Sequence, residues 1–369
     1  MISKLGHYTV GTKRFLYKID AIRESTISKI PVKWNFHDTV YSKMDWTKPN
    51  RVDMRTLYKR RALQLRDSYD YLILYFSNGS DSQTILKTFL NNNIRLDEVF
   101  VRWPVKLAER IGAKFDTSPE NLYSEWFFTI KPALEWLKNN HPSVKITIHD
   151  WTDDASTLHN KLNDDTLVKQ TNTHYINYGT YLRQIHNNEF KRLDSGESIG
   201  SIFGIEKPFL CKNGNDVYCY FIDKTMAAGG DFYTKVVEPF FWTPDMPEIV
   251  MEQAHLLLDH MKLNPKLFDL IEMNNLTDQT NRNLYEEFVK QIIYPDYDLN
   301  TFQTDKHIGI LSKNDLPLLN SNELTQSVGK WKSMVKNLLN GVDQEYLHIS
   351  GEHTSFKTLS SQLYKIATL

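Results

Sequence analysis

The chain has little cysteine, no long apolar run and almost no net charge. Its two cysteines, Cys211 and Cys219, are too few for a disulfide framework, so we expect reduced thiols. No run of about 18 apolar residues occurs, and the N-terminus lacks the apolar region of a signal peptide. The formal net charge of -1 provides no global basic field for a nucleic acid or an anionic membrane. These features predict a cytoplasmic protein that does not bind membranes.

Motifs of several well-known sites are also missing. There is no Walker A sequence and no GxGxxG turn, which removes the commonest alternative phosphate loops. CxxC pairs are absent, so a cysteine zinc site is not expected. Residues 196–200 fit GxSxG, but that motif needs a strand before it and a helix after it, and here a strand follows. The Glu-x-x-His spacings at Glu252/His255 and Glu345/His348 lack companion glutamates, so we interpret their histidines as structural.

What is present is a strand–helix–strand–helix–strand pattern. The predicted strands are residues 71–76, 97–103 and 144–149, and the predicted helices are residues 82–91 and 119–140. Right-handed crossovers then require a parallel twisted sheet with helices on both faces, which is an α/β fold. Downstream, residues 155–195 have a helical pattern. Residues 199–205 and 217–222 read as a β-hairpin.

A small polar turn, residues 77–82 (Ser-Asn-Gly-Ser-Asp-Ser), joins the first strand to its helix. In an open parallel sheet, ligands bind at the carboxyl ends of strands, where helices present free N–H groups and a positive dipole end. Gly79 can adopt a positive φ, and Asn78 is the non-glycine residue type that tolerates it best. The backbone can therefore form a nest of N–H donors for a phosphate chain. Three hydroxyls lie beside it, those of Ser77, Ser80 and Ser82.

This strand, turn and helix resemble the SGGxDS signature of the PP-loop family, the N-type ATP pyrophosphatases of the adenine nucleotide α-hydrolase-like fold. Five of the six positions agree, counting the free fourth one, and Asn78 replaces the first glycine. The resemblance covers residues 70–150. Residues 204–207 and 238–245 show a weaker similarity to sulfonucleotide-reductase-like members.

The resemblance implies ATP and Mg²⁺ as cofactors. It implies cofactor-binding roles for Ser77, Asn78, Gly79, Ser80, Asp81, Ser82, Arg102, Trp103 and Gly204. Asp81 would also help to hold Mg²⁺, and Arg102 and Trp103 would lie beside the adenine. Lys207 would neutralise charge on the departing pyrophosphate, which makes Asp81 and Lys207 the candidate catalytic residues. The alternatives are a helix-cap role for Asp81, a core position for Trp103 and a surface position for Lys207.

The expected activity is adenylylation of a carbonyl or carboxylate oxygen with release of pyrophosphate, followed by amine transfer. The product would be an amide or a modified nucleobase or tRNA. A sulfonucleotide-reductase-like protein is one alternative, although residues 367–369 lack the catalytic cysteine of that group. A non-catalytic nucleotide-binding interaction module is another, because Asn78 departs from the motif.

The pattern divides the chain into three regions. Residues 1–66 are expected to be an irregular lead-in that ends in a basic helix, residues 67–262 the nucleotide-binding α/β domain, and residues 263–369 a mainly helical region. The basic segment from Arg51 to Arg66 could guide tRNA or another nucleic acid, although a solvated helix face is the commoner explanation. Whether the chain forms an oligomer is left open. The expected substrate lining is Glu125, Trp126, Lys131, Trp242 and Asp245.

Overall fold

A computed structural model describes the larger part of the chain. The described residues are 5–119, 121–150, 152, 192, 195–204, 207–223, 237–275, 279–304, 348–349 and 358–369. Their α-helices are α1 (Lys18–Ser28), α2 (Asp38–Tyr41), α3 (Met54–Ser68), α4 (Ser80–Asn91), α5 (Val105–Arg110), α6 (Lys131–Asn140), α7 (Glu248–Leu263) and α8 (Gln279–Ile293). Their strands are β1 (His7–Val10), β2 (Lys13–Phe15), β3 (Val32–Asn35), β4 (Tyr71–Tyr75), β5 (Glu98–Trp103), β6 (Lys145–Asp150), β7 (Ile199–Phe203), β8 (Phe209–Asn213), β9 (Asp216–Tyr220), β10 (Val237–Pro239), β11 (His348–Ile349), β12 (Thr358–Leu359) and β13 (Tyr364–Thr368).

Five parallel strands form the central sheet in the order β10-β7-β4-β5-β6. The parallel α/β architecture and its first three strands are therefore confirmed. The near-continuous apolar sequence of β4 suits the middle of such a sheet, because a central parallel strand is buried on both faces. Leu72 and Leu74 pack into the main core, while Ile73 packs on the opposite face with Phe100 and Ile199.

The path of the chain creates a switch point between β4 and β7. From β4 the chain passes through α4 to β5 and through α6 to β6, all on one side of β4, whereas β7 lies on its other side. The loops that follow β4 and β7 therefore diverge at the carboxyl edge, where doubly wound sheets bind ligands. Right-handed crossovers place α4 and α6 on one face. The predicted helical segment 155–195, which would cover the other face, lies almost entirely outside the described residues.

The single helix predicted for residues 119–140 is wrong in its first half. A 3₁₀ turn at Leu122–Ser124 and a π-helix at Trp126–Ile130 precede α6. Pro132, in the first turn of α6, explains the break. A proline inside a helix has no N–H to donate and its ring clashes with the carbonyl four residues earlier, so the preceding turn widens.

The predicted hairpin has the right turn but the wrong first strand. β7 joins the central sheet parallel to β4, and β8 instead pairs antiparallel with β9. Asn213 and Asp216 close the connection, and Gly214 has a φ of +60°. Two-residue hairpin turns need positive φ, which explains why the turn signal was reliable. β13 adds to the other side of β9, so the last residues of the chain complete this small sheet.

The lead-in is more regular than expected, since β2, β1 and β3 form an antiparallel sheet against which α1 packs. Lys18 of α1 forms a buried ion pair of 2.7 Å with Asp223, and the Tyr8 hydroxyl donates to the same carboxylate at 3.0 Å. Asp223 follows β9, so this contact joins the N-terminal sheet to the β8–β9 hairpin. The main buried cluster contains residues from all three predicted regions. The boundary near residue 262 stays a prediction.

The C-terminal region begins with helices. After α7, the 3₁₀ turns Pro265–Ile271 and Met273–Asn275 lead to α8. Residues 305–347 lie outside the described ones, so the mainly helical character of this region stays a prediction. None of the helices in the described ranges has the length and apolar character needed to cross a bilayer.

Candidate functional site

The turn at residues 77–82, the SNGSDS loop, lies at the carboxyl end of the central strand. Asn78 has a φ of +55°, and Gly79 has ordinary angles of φ -73° and ψ 170°. The left-handed residue of the loop is thus the one that replaces glycine in the resembled motif. Asparagine is the non-glycine residue best suited to this conformation, so Asn78 can adopt it at low cost.

The N-terminus of α4 lies within the SNGSDS loop, with Gly79 as the N-cap residue. No side chain caps the helix N-terminus in the described part of the chain, and the first N–H groups of a helix have no partner within it. The Ser82 hydroxyl accepts from the N–H of Ser77 at 3.3 Å and donates to the Gly79 carbonyl at 3.4 Å. Ser82 therefore closes the loop on itself.

Asp81 and Lys207 meet across the switch point. Lys207 Nζ lies 3.6 Å from Asp81 Oδ2, and their side chains are 15% and 27% exposed. The Tyr294 hydroxyl donates to the other oxygen, Asp81 Oδ1. Both carboxylate oxygens are thus engaged, and Mg²⁺ coordination would require at least one of them to change partner. Residues that follow β4 and β7 in the sequence therefore lie together at the carboxyl edge of the sheet.

The two sides of the SNGSDS loop differ in accessibility. Asn78, Ser80 and Ser82 are only 9%, 4% and 5% exposed. Ser77, Asp81, Gly204 and Lys207 are half-buried. A ligand would therefore reach the loop from the side of Lys207.

Residues 294–304, here named the cover segment, pack over the buried side. Gln83 contacts Thr301 and Asp298, the Thr129 hydroxyl donates to the Phe302 carbonyl, and Glu125 accepts from the N–H of Thr304 at 2.9 Å. Glu125 was an expected lining residue, but its carboxylate is fully buried. Sequence reasoning missed the other contacts because they join residues more than about 170 positions apart, beyond any local pattern.

Arg102 and Trp103 lie at the same edge of the sheet, one strand away from the loop. In β5 they pair with His149 and Asp150 of β6. Both are half-buried, and Trp103 packs against the main core. The Trp103 indole Nε1 is buried, with no hydrogen-bond partner among the described residues. Part of the Trp103 ring therefore lies in the core, which was the alternative position expected for this residue.

Negative charge surrounds the cover segment. Burial raises the pKa of Tyr297 to about 12, and the carboxylates of Glu287, Asp298, Asp81 and Glu125 add to the shift. An anionic ligand beside these groups would be repelled unless a cation accompanied it. In the described ranges, no three acidic, histidine or cysteine side chains form a preformed metal cluster.

Two of the expected lining residues lie in the segment that follows β10. Trp242 is fully buried, with its ring 4.9 Å from that of Phe221, and belongs to the aromatic core. Asp245 lies 3.8 Å from Arg61. The apolar, aromatic sequence that follows β10 enters the core, which explains why Trp242 cannot line a cleft, whereas the lining role of Asp245 stays a prediction.

The basic helix, confirmed as α3, uses most of its cations within the fold. Arg55, Arg61 and Arg66 of α3 pair with Asp296, Glu238 and Asp97, and Arg51, which precedes the helix, pairs with Asp259. Arg61 is buried, whereas Arg51, Arg55, Lys59 and Arg60 are exposed. A nucleic acid would therefore meet four exposed cations, of which Arg51 and Arg55 are already paired with carboxylates.

The Glu-x-x-His and GxSxG sequences, which we did not expect to form functional sites, have structural roles. Glu252 accepts from the N–H groups of Asn50 and Arg51, and His255 Nε2 lies 2.6 Å from the Trp46 carbonyl oxygen. The residues of the GxSxG sequence run directly into β7, as expected. Glu345 lies outside the described residues.

Two pockets in the described part of the chain lie away from the loop. One includes Arg66 and Arg95 near the amino end of β4, and the other includes Leu210 and Tyr285 beside α8. Neither is a candidate for the ligand of the SNGSDS loop.

No protein-family model, curated protein or solved structure matches the chain. An inference of function therefore rests on the loop and on the groups that meet there.

Proposed function

We propose that the chain is a Mg-ATP-dependent enzyme of the PP-loop type, in which the SNGSDS loop binds the triphosphate of ATP. The observation that carries the proposal is the convergence of Asp81 and Lys207 at the switch point, 3.6 Å apart. Small polar turns at this position of an open parallel sheet are suited to phosphates. The sequence resemblance and the loop's position in the sheet support the same ligand.

The binding of Mg-ATP separates the Asp81–Lys207 pair and gives each residue a new partner. The free N–H groups of the first turn of α4 and the positive end of its dipole attract phosphate oxygens. Lys207 would turn from Asp81 to the phosphates, and Asp81 would be the residue that holds Mg²⁺, an ion that prefers carboxylate and phosphate oxygens. Bound there, it would supply positive charge that offsets the acidic groups near the cover segment. Arg102 and Trp103 contact the adenine at the next strand.

The reaction is nucleotidyl transfer. A carbonyl or carboxylate oxygen of the substrate attacks the α-phosphate, a bond forms between that oxygen and phosphorus, and the bond to pyrophosphate breaks. Lys207 and the loop amides stabilise the charge on the departing pyrophosphate. An amine then displaces AMP, which gives an amide-type product or a modified nucleobase, in a small molecule or in tRNA.

A non-catalytic nucleotide-binding module is the second candidate. It is favoured by the burial of Asn78, Ser80 and Ser82 within the SNGSDS loop. Sulfonucleotide reduction is disfavoured, because both cysteines of the chain are buried and burial raises the pKa of each thiol. A reductive thiol has to be accessible and ionisable.

Calorimetric titration with ATP and Mg²⁺ tests the proposal. We expect binding by the wild-type chain and at least tenfold weaker binding by Lys207→Met, a loss of about 1.4 kcal/mol. Lys212→Met is the matched control, because Lys212 pairs with Glu272 in the β8–β9 sheet. Absence of binding by the wild-type chain, or equal effects of both variants, contradicts the proposed site.

Pyrophosphate release distinguishes the two candidates. An enzyme releases pyrophosphate from ATP when carboxylate or nucleobase substrates are supplied, and Asp81→Ala and Ser82→Ala each abolish turnover while the protein stays folded. Binding of ATP without pyrophosphate release from any substrate class favours the module. Full activity of both variants contradicts the assignment of the SNGSDS loop.

A further inference from the structure

The side chain of Asn78 makes contacts that the glycine of the resembled motif cannot make. Its Nδ2 donates to the Thr129 carbonyl at 3.1 Å, and its Oδ1 accepts from Gln83 Nε2 at 3.2 Å. Both ends of the amide are therefore used, and the side chain is buried. Thr129 belongs to the π-helix, so Asn78 ties the SNGSDS loop to an element outside α4.

Gln83 joins the same loop to the cover segment. Its Nε2 also donates to Thr301 Oγ1 at 3.1 Å, and its Oε1 accepts from the N–H of Asp298 at 2.8 Å and from Lys87 Nζ at 3.1 Å. The Gln83 amide thus has four hydrogen bonds and is buried. A fully satisfied buried polar network rigidifies the groups it joins.

The network acts on the strained residue of the loop. Asn78 has a left-handed backbone, which costs free energy in every residue except glycine. Two side-chain hydrogen bonds from that same residue hold the strained conformation in place. Strain at a site persists only where surrounding contacts over-determine it.

We propose that Asn78 and Gln83 are positioning residues that set the shape of the SNGSDS loop and couple it to the cover segment, an inference that rests on the proposed nucleotide function. Neither side chain needs to touch the phosphates. Release of the cover segment loosens the Gln83 amide and through it Asn78, so the affinity for the triphosphate follows the state of residues 294–304. Asn78, which stands where the resembled motif has glycine, thus provides a contact between the SNGSDS loop and the rest of the fold.

The variant Asn78→Gly tests this inference directly, because glycine adopts the same φ without strain and restores the motif. We expect the affinity for Mg-ATP to fall about tenfold. Asn93→Gly is the matched control, because Asn93 is exposed and also has a φ of +55°. Equal or tighter binding by Asn78→Gly contradicts the positioning role.

Hydrogen exchange without nucleotide supplies a test that does not depend on ATP binding. We expect Gln83→Met to speed amide exchange both in residues 77–82 and in residues 296–302. The double variant Asn78→Gly/Gln83→Met should exchange no faster than the faster-exchanging of the two single variants, because both changes break the same network. Thr301→Val is the milder variant and produces a smaller change at the same two places. Changes confined to one of the two segments, or additive effects, contradict the coupling. Failure of the wild-type chain to bind ATP contradicts the proposed function. The exchange test would still decide whether the SNGSDS loop and the cover segment are coupled.

Discussion

Gly204 approaches Asp81 so closely that a Cβ added to the glycine would lie 2.5 Å from the Cβ of Asp81 and 3.2 Å from its carbonyl carbon. Real Cβ atoms essentially never come this close to an atom outside their own chain neighbours. The backbone that leaves β7 is therefore packed directly against the first turn of α4. This contact holds the two loops of the switch point together and brings Lys207 towards the SNGSDS loop.

Gly204→Ala should destabilise the protein. The clash is with the Cβ of Asp81, whose position is fixed by the backbone so that it cannot rotate away, and overpacking of this kind costs about 1–3 kcal/mol. Urea denaturation monitored by circular dichroism measures the loss. The same variant should weaken Mg-ATP binding, because α4 must shift. Unchanged stability and unchanged binding would show that the two loops are not in contact.

Removal of the Tyr294 hydroxyl should strengthen binding of Mg-ATP. This hydroxyl donates to Asp81, and the proposed mechanism requires Asp81 to bind Mg²⁺ instead. Tyr294→Phe keeps the ring against Phe241 and removes only the competing donor. We expect a gain in affinity of roughly tenfold, the scale of one hydrogen bond to a charged group. Tyr297→Phe serves as the control, and a loss of affinity in Tyr294→Phe alone would contradict the exchange of partners.

The buried ion pair between Arg61 and Glu238 should be much more sensitive than an exposed one. Arg61 Nη2 lies 2.8 Å from Glu238 Oε2, and both side chains are 1% exposed. Arg61→Met leaves a buried carboxylate unpaired, which costs about 3–5 kcal/mol. Arg51→Met removes the exposed pair with Asp259 and should cost less than about 1 kcal/mol. Equal midpoints of chemical unfolding for the two variants would contradict the buried network.

Both thiols should resist modification in the native protein. Burial raises the pKa of Cys211 to about 12 and also raises that of Cys219. The pKa of each thiol is higher in the folded chain than in the unfolded chain, where it is roughly 8.5. The stability linked to the neutral thiol is therefore fully present below roughly pH 8.5 and is lost as the pH rises towards the folded pKa. An aromatic disulfide reagent at neutral pH should therefore label neither cysteine until urea is added. Rapid labelling of the native chain would contradict their burial.

Local patterns were sufficient to predict three of the five strands of the central sheet and the loop after the first of them. The apolar run of β4 and the helical spacing of Ile85, Leu86 and Phe89 identified the central strand and α4, and the polar turn between them marked the candidate site. The boundary of α4 moved only from residue 82 to Ser80. These elements are specified by neighbours in the sequence, which is why the sequence alone predicted them.

Features that depend on distant residues were not predictable in this way. The pairing of Gln83 with Thr301 joins positions more than about 200 residues apart, and nothing near Gln83 indicates it. The π-helix before α6 had a signal in Pro132, which a proline rule applied to the whole segment would have detected. The first strand of the hairpin was misassigned because β7 and β8 both have β-forming sequences, and only tertiary pairing distinguishes them.

A crystal structure of the chain with Mg²⁺ and a non-hydrolysable ATP analogue tests the site most directly. The proposed function predicts phosphate oxygens within hydrogen-bond distance of the N–H groups in the first turn of α4. It also predicts Lys207 turned from Asp81 towards the β- or γ-phosphate, and Mg²⁺ on Asp81. An analogue bound elsewhere, or an SNGSDS loop that stays empty with Asp81 still held by Lys207 and Tyr294, would contradict it.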